Sequence, residues 1–215
     1  MTFTRREFCA GTTALAFVAA TGLERAFAQT VSSVVLMAPH PLGEMAIGNE
    51  KAPVTVIEYA SMTCGHCANF ALNTFPKFKT EYIDTGKVRF ILREFPLDPT
   101  AAAAFMLARC ASNGDGGKYF AMVDTLFHQQ NTWAVQNPEA QLRTITRQAG
   151  LTDKSFNECL ANQKALEGIE AVRQHGAQKL GVNSTPTFFI NGEKVAGALS
   201  YDEMVKRVTP YLKAG

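Results

Sequence analysis

The stretch Val54-Thr-Val-Ile-Glu-Tyr-Ala-Ser-Met-Thr-Cys64-Gly-His-Cys67 decides the fold, because it ends in two cysteines separated by two residues. Residues 54–60 are mostly β-branched or apolar and predict a buried strand, and residues 68–82 predict a helix. A Cys-x-x-Cys between a strand and a helix places its first cysteine at the helix N-terminus. There the unpaired backbone N–H groups and the helix dipole favour a thiolate over a thiol. The placement therefore predicts a redox site, with a zinc site as the alternative.

One acidic residue, Glu58, interrupts the predicted strand shortly before the cysteines. Strand alternation puts its side chain on the same face as Val54 and Val56. A carboxylate in a buried strand is costly unless it has a partner or a function. We therefore predict that Glu58 is a buried acid beneath the cysteines that exchanges protons during catalysis. A strand-edge glutamate that faces solvent is the alternative.

Residues 1–28 have the features of an export signal. Arg5-Arg6 precedes a short run of apolar and small residues, and Ala26-Phe27-Ala28 forms a small-x-small cleavage sequence. The arginine pair favours a twin-arginine signal, and an ordinary Sec signal remains the alternative. The sequence therefore predicts export across a bacterial inner membrane.

Residues 29–49 form an N-terminal arm ahead of the predicted core. Its apolar run at residues 34–37 predicts one short strand. His40 lies between two prolines and is expected at the surface.

Charge and hydropathy argue against two classes of protein. The net charge is +2 and no basic stripe is present, so nucleic-acid binding is not expected. After the export signal no apolar run approaches the length of a transmembrane helix.

Export also changes the meaning of the cysteines, because disulfides persist in an oxidising compartment. Removal of the signal leaves four of them, which allow three pairings. Proximity commits Cys64 to Cys67 and leaves Cys110 with Cys159. A structural disulfide there closes a loop of about 50 residues and is worth roughly 4 kcal/mol in the chain-entropy model. Two unpaired buried cysteines are the alternative.

The rest of the chain continues the alternation of strands and helices. Residues 87–95 predict a second strand, and the strand–helix–strand order implies a right-handed crossover and a parallel pair. Residues 99–181 predict a helical insertion, whereas residues 182–215 return to a strand, an Asn191-Gly192 hairpin turn and a final helix. The predicted class is α/β, with residues 50–98 and 182–215 forming one core that the insertion interrupts.

This order of elements resembles the DsbA-like thiol:disulfide oxidoreductases, which have a thioredoxin-like fold with a helical insertion between the second and third core strands. The motifs that carry the resemblance are Val56-Ile-Glu-Tyr-Ala-Ser-Met-Thr-Cys-Gly-His-Cys67 and Ser184-Thr-Pro-Thr-Phe-Phe189. The resemblance covers about residues 45–213 of the chain. It implies a cis proline at Pro186 beside the cysteines, with Thr185 binding an extended substrate peptide through its backbone. It also implies that Glu58 handles protons.

The two residues between the cysteines bear on the expected redox chemistry. The resemblance implies that His66 lies near Cys64 and stabilises its thiolate. Each unit by which the pKa of Cys64 falls stabilises the reduced form by about 1.4 kcal/mol, or about 30 mV, and makes the disulfide a stronger oxidant. However, Gly65 replaces the proline usual in the best-known DsbA proteins, and Gly-His is the pair seen in protein disulfide isomerases. The threonine before Pro186 is similar to the residue at this position in the bacterial isomerases DsbC and DsbG. The direction of electron flow therefore stays open.

The main functional hypothesis is a periplasmic thiol:disulfide oxidase that introduces disulfides into reduced exported proteins through Cys64 and Cys67. We expect a monomer without cofactor or metal, and the resemblance implies a DsbB-like membrane partner that reoxidises it. A disulfide isomerase or reductase of the same fold is the alternative. A zinc-binding module would need four ligands, but Cys110 and Cys159 do not form a second short-spaced pair. The intact Cys-x-x-Cys also argues against glutathione-transferase-like chemistry.

Overall fold

The computed structural model describes residues 31–213, so the predicted export signal lies outside the described residues. A five-stranded mixed sheet forms the centre, with the spatial order β1-β3-β2-β4-β5. Its strands are β1 (Met45–Ile47), β2 (Val54–Ala60), β3 (Val88–Glu94), β4 (Thr187–Ile190) and β5 (Glu193–Ala196).

Helices cover both faces of this sheet, and six of them form an insertion between β3 and β4. The α-helices in chain order are α1 (Ser33–Leu36), α2 (Gly65–Asn73), α3 (Phe75–Phe78), α4 (Pro99–Ser112), α5 (Gly116–His128), α6 (Gln130–Trp133), α7 (Pro138–Gln148), α8 (Asp153–Leu160), α9 (Gln163–Lys179) and α10 (Tyr201–Leu212), and α4 to α9 form the insertion. A π-helix, Lys79–Ile83, continues α3. The predicted α/β class with a helical insertion is confirmed. The short helix α6 was not predicted, because a single turn carries no readable hydrophobic period.

The predicted parallel strand pair is confirmed, since β2 and β3 run in parallel with Glu58 opposite Leu92. On the other side β4 pairs antiparallel with β2 and places Phe188 opposite Glu58. Val56 and Phe188 belong to the larger hydrophobic core, which the insertion and α2 complete. Tyr59 points to the opposite face, into a smaller core. Glu58 therefore faces the larger core, as the alternation predicted.

The prediction for the N-terminal arm was wrong in one element. Residues 34–37 were expected to form a strand, but Ser33–Leu36 is the helix α1, and the edge strand of the arm is β1. A short apolar run does not distinguish a helix from a strand, and here Leu36 is its one buried residue. The strand forms instead at Met45–Ile47, where the chain pairs antiparallel with β3.

His40 on the arm is also placed differently from the expectation, because its side chain is only 5% exposed. Its ring packs edge-on against that of His175, with the centroids 5.3 Å apart. Burial and the nearby charge of Arg93 lower the pKa of His40 to about 4. Arg93 itself fastens the arm to the sheet, since its guanidinium donates to the Leu36 carbonyl at 2.7 Å and to the Glu44 carboxylate at 2.6 Å.

A buried ion pair fastens the insertion to the sheet. The side chain of Glu94, at the end of β3, is 1% exposed and accepts a 2.5 Å hydrogen bond from Nε of Arg109 on α4. The hydroxyl of Tyr119 on α5 donates to the same carboxylate at 2.9 Å. Since removal of one partner leaves the other charge buried and unpaired, this pair fixes how α4 and α5 pack on the sheet.

Candidate active site

The Cys-x-x-Cys lies where β2 ends and α2 begins, as the sequence predicted. Cys64 is the N-cap residue of α2, and its carbonyl oxygen accepts the first intrahelical hydrogen bond from Ala68 at 3.1 Å. Cys67 lies one turn further and is fully buried. Both thiols are free, so the structure shows the reduced form of the pair.

The surroundings of Cys64 favour its thiolate. Its pKa is lowered to about 5, chiefly by a hydrogen bond from the Cys67 thiol, and further by the Thr185 side chain and the backbone N–H groups of Cys67 and His66. Burial acts in the opposite direction but is outweighed. The Cys64 thiol donates to the Thr185 carbonyl oxygen at 3.3 Å, while the buried Thr185 Oγ1 has no hydrogen-bond partner among the described residues. That hydroxyl is therefore available to the sulfur once Cys64 ionises.

Cys67 has the opposite electrostatics. Burial is the main reason that its pKa lies far above that of a free thiol, and the nearby charges of Glu58 and Cys64 act in the same direction. Their different environments therefore make Cys64 an acidic thiol, whereas Cys67 keeps its proton. Such a division assigns different roles to the two sulfurs in disulfide exchange.

Glu58 lies beneath the pair and is 4% exposed. Burial, followed by the charge of the Cys64 thiolate, raises its pKa to about 8. Its Oε1 has no hydrogen-bond partner in the described part of the chain, and it borders a small apolar cavity of about 20 Å³ between α2 and α5. The carboxyl group is therefore held near the pH at which it can both give and take a proton.

The motif around Pro186 lies against Cys64. The Thr185–Pro186 peptide bond is cis. Thr185 is buried and precedes β4, so its backbone lies beside the sulfur at the end of the sheet. The cis bond and the contact between Thr185 and Cys64 place this motif where the resemblance implied, while its role in binding substrate stays a prediction.

His66 differs in one respect from what the resemblance implied. Its side chain is exposed and makes no hydrogen bond to another described residue, whereas its backbone N–H favours the Cys64 thiolate. Every residue type except proline has a backbone N–H, so this stabilisation does not depend on the histidine side chain.

The other two cysteines are joined in a disulfide within the insertion. Cys110 near the end of α4 and Cys159 on α8 have their Cα atoms 5.9 Å apart. They are consequently not available as ligands beside Cys64 and Cys67. Within residues 31–213 no three His, Cys, Asp or Glu side chains are arranged to hold a metal ion.

Sequence reasoning missed the residues that hold the loop leading to Cys64. Nε2 of Gln130 donates to the carbonyl oxygens of Met62 and Cys64, at 2.7 Å and 3.1 Å. The Thr63 hydroxyl donates to the Asp98 carboxylate at 2.5 Å. These partners lie 35 or more residues apart in the chain, so no local pattern indicates them.

Comparison with known proteins decides the family. A thioredoxin family model matches residues 41–209. The crystal structure of alpha-DsbA1 from Wolbachia pipientis has a TM-score of 0.78 to this chain at 32% sequence identity, and the match covers 85% of this chain and 97% of that one. The chain belongs to the DsbA-like thiol:disulfide oxidoreductases of the thioredoxin family. Its sheet, insertion and cysteine pair are those of a DsbA-like protein.

Two further relatives match this DsbA-like chain over different shares of their own length. A Rickettsia bellii protein, provisionally named a protein-disulfide oxidoreductase, is 35% identical over 150 residues, which are 69% of this chain and 57% of that protein. The chain thus spans less than two thirds of that curated relative. Disulfide bond formation protein D of Bacillus subtilis is 25% identical over 183 residues, which are 81% of this chain and 80% of that protein.

Among the helices from α1 to α10, none combines the length and the apolar character that crossing a bilayer requires.

Proposed function

We propose that this protein is a periplasmic oxidase that transfers its Cys64–Cys67 disulfide to the thiols of reduced exported proteins. The observation that carries the proposal is the opposed pKa shift of the two cysteines, down to about 5 for Cys64 and strongly upward for Cys67. Stabilisation of the Cys64 thiolate stabilises the reduced protein relative to its disulfide. The disulfide is correspondingly a strong oxidant.

The proposed reaction begins with attack of a substrate thiolate on Sγ of Cys64. The bond between Cys64 and Cys67 breaks, a substrate–Cys64 disulfide forms, and the electron pair passes to Sγ of Cys67. A second substrate thiolate then attacks the substrate sulfur and releases Cys64 as a thiolate. The substrate loses two electrons and gains a disulfide, and the protein gains two electrons and becomes the dithiol.

Glu58 provides the proton in the first step. The high pKa of Cys67 means that its sulfur cannot leave as a lasting thiolate and must be protonated. Glu58, with its pKa raised to about 8, carries that proton at neutral pH and lies close enough for its charge to act on Cys67. When the protein is reoxidised the transfer is reversed, and Glu58 takes the proton back.

Thr185 and Pro186 form the substrate-binding edge in this proposal. The Thr185 carbonyl faces the Cys64 sulfur at 3.3 Å, just before the start of β4, where an extended peptide can lie beside the chain. Backbone hydrogen bonds recognise no particular side chain. This suits an enzyme that acts on many unfolded proteins.

The proposed cellular setting follows from the sequence. The export signal directs the protein to the periplasm, where it works as a monomer on substrates that arrive with free thiols. Each turnover leaves the dithiol, which a DsbB-like membrane partner reoxidises.

The test is the equilibrium constant of the Cys64–Cys67 pair with glutathione. This constant gives the reduction potential of the pair. An oxidase requires an equilibrium that favours the reduced protein and oxidised glutathione, with a reduction potential near the value of about −120 mV of strong protein oxidants. An equilibrium close to that of thioredoxin, at about −270 mV, would overturn the oxidase proposal.

The second candidate is a disulfide isomerase or reductase, which Gly65 and Thr185 favour. An isomerase works from the dithiol state, because the Cys64 thiolate must attack a substrate disulfide. Refolding of a protein with scrambled disulfides by the purified dithiol form distinguishes the two. The isomerase recovers native pairing without added oxidant, whereas the oxidase does not.

A further inference from the structure

Gln130 connects the helical insertion to the redox loop that ends in Cys64. It begins α6, its residue is 8% exposed, and its Nε2 donates to the carbonyl oxygens of Met62 and Cys64 at 2.7 Å and 3.1 Å. One amide group thus spans two carbonyls that lie two residues apart. The partners are 68 and 66 residues away in the chain, on the loop between β2 and α2.

The position of this amide is set by packing within the insertion. Trp133, at the other end of α6, is fully buried, and its indole N–H donates to the Leu126 carbonyl of α5 at 2.7 Å. The indole therefore fixes α6 against α5 and leaves the Gln130 side chain little freedom. Any shift of α6 is transmitted to the loop through these two hydrogen bonds.

We propose that Gln130 is a positioning residue that holds the Cys64 backbone from the insertion and thereby sets the redox properties of the cysteine pair. The inference rests on the proposed function only in treating Cys64 as the reacting thiol. Among the described residues Gln130 hydrogen-bonds to two main-chain carbonyls and to neither sulfur, so it acts through the main chain.

The physical reason lies in the geometry of the helix start. The Cys64 carbonyl accepts from both Gln130 and the N–H of Ala68, so the amide holds the N-cap peptide in place. The backbone N–H groups of His66 and Cys67, which stabilise the Cys64 thiolate, belong to the same first turn. Loss of the amide frees the turn to reorient, and these N–H groups then point less directly at the sulfur.

The surroundings of Gln130 make the proposal testable without loss of the fold. Gln130 lines an open, polar cavity of about 270 Å³ together with Thr63 and Asn131. Water from this cavity can reach the two carbonyls when the amide is removed, so they need not remain unpaired. Asn131 is exposed and lies next in the chain, which makes it a matched control.

The experiment compares Gln130→Met, which keeps the length but removes the donor, with Asn131→Ala. We expect the Met variant to raise the apparent pKa of Cys64, measured by thiolate absorbance, by at least about half a unit, which is about a threefold change in its ionisation constant. Its equilibrium with glutathione shifts about threefold towards the disulfide. Asn131→Ala leaves both quantities at the wild-type values.

A second variant, Gln130→Asn, keeps an amide but is one methylene too short to span both carbonyls, and we expect a shift in the same direction. Unchanged Cys64 pKa and glutathione equilibrium in both folded Gln130 variants would overturn the proposal. So would an equal shift in Asn131→Ala. The measured quantity is a difference from wild type, so it stands even if the wild-type potential refutes the oxidase assignment.

Discussion

The thiol of Cys64 donates a hydrogen bond to the carbonyl oxygen of Thr185 at 3.3 Å, across 121 residues of sequence. The contact joins the two motifs on which the proposed chemistry depends. The nucleophilic sulfur and the edge that would bind a substrate peptide are thereby in direct contact before any substrate arrives. In the proposed function, a substrate cysteine bound at Thr185 would meet Cys64 rather than the buried Cys67.

The first prediction separates the two cysteine pairs. Cys64→Ser removes the sulfur that forms the mixed disulfide, so we expect no oxidation of a reduced peptide. Cys110→Ser breaks only the disulfide within the insertion, and we expect most of the activity to remain. The free energy of unfolding should fall by about 2–4 kcal/mol in the second variant, measured by denaturant unfolding. Equal loss of activity in both variants would contradict the division into a reactive and a structural pair.

The second prediction concerns the titration of Cys64. Ultraviolet absorbance of the reduced protein should show a thiolate that forms with a midpoint near pH 5, far below the unfolded value. Since the folded pKa is lowered, the ionised thiol stabilises the reduced fold fully above about pH 9, and this stabilisation is lost as the pH falls to about 5. The difference in unfolding free energy between wild type and Cys64→Ala should follow that window. A thiolate midpoint near 8.5 would refute the strong-oxidant reading.

The third prediction concerns Glu58. Its pKa is raised to about 8 in the folded protein. Below the pKa of the unfolded state the carboxyl is protonated in both states and costs no stability. As the pH rises from there to about 8 only the unfolded state ionises, so Glu58 increasingly destabilises the reduced fold. Glu58→Gln should therefore stabilise the reduced protein, by on the order of 3 kcal/mol at pH 7, and slow the release of Cys67. Thermal unfolding from pH 4 to 9 checks the first effect. The exposed Glu167→Gln serves as the control and should show the wild-type pH dependence.

The fourth prediction concerns the imidazole of His66. His66→Ala keeps the backbone N–H at the first turn of α2 and removes an exposed side chain. We expect the pKa of Cys64 to stay well below that of a free thiol, and any increase measures what the imidazole adds. Should the thiolate midpoint return to that of an ordinary cysteine, the side chain rather than the backbone stabilises the charge.

The fifth prediction concerns the ion pair that fastens the insertion. Arg109→Met leaves the Glu94 carboxylate buried without its cation, and we expect the free energy of unfolding to fall by about 3–5 kcal/mol. Arg143→Met removes an arginine that pairs with Glu139 and Asp153 at the surface, where solvent screens the charges. Chemical denaturation should show little change in this control. A similar loss in both variants would show that the buried pair has no special role.

Much of the fold was accessible from the sequence because it depends on local patterns. The β-branched run of β2, the cysteine spacing and the Asn191-Gly192 turn each have a short-range physical cause. The arm was predicted less well, since α1 and the burial of His40 depend on contacts with the sheet and with α9. Hydrophobic periodicity carries no information about such contacts.

The sequence by itself determined the order of the core strands β2 to β5 and of the longer helices between them, the redox motif and the acid in the strand beneath it, since spacing and alternation fix these. Only the tertiary structure decided how the charges are distributed among Cys64, Cys67 and Glu58. A pKa shift depends on burial and on groups that approach through space. For Cys64 these groups include Thr185, which chain folding brings within hydrogen-bonding distance. Gln130 donates to the same loop from the insertion, and no sequence pattern predicts this hydrogen bond.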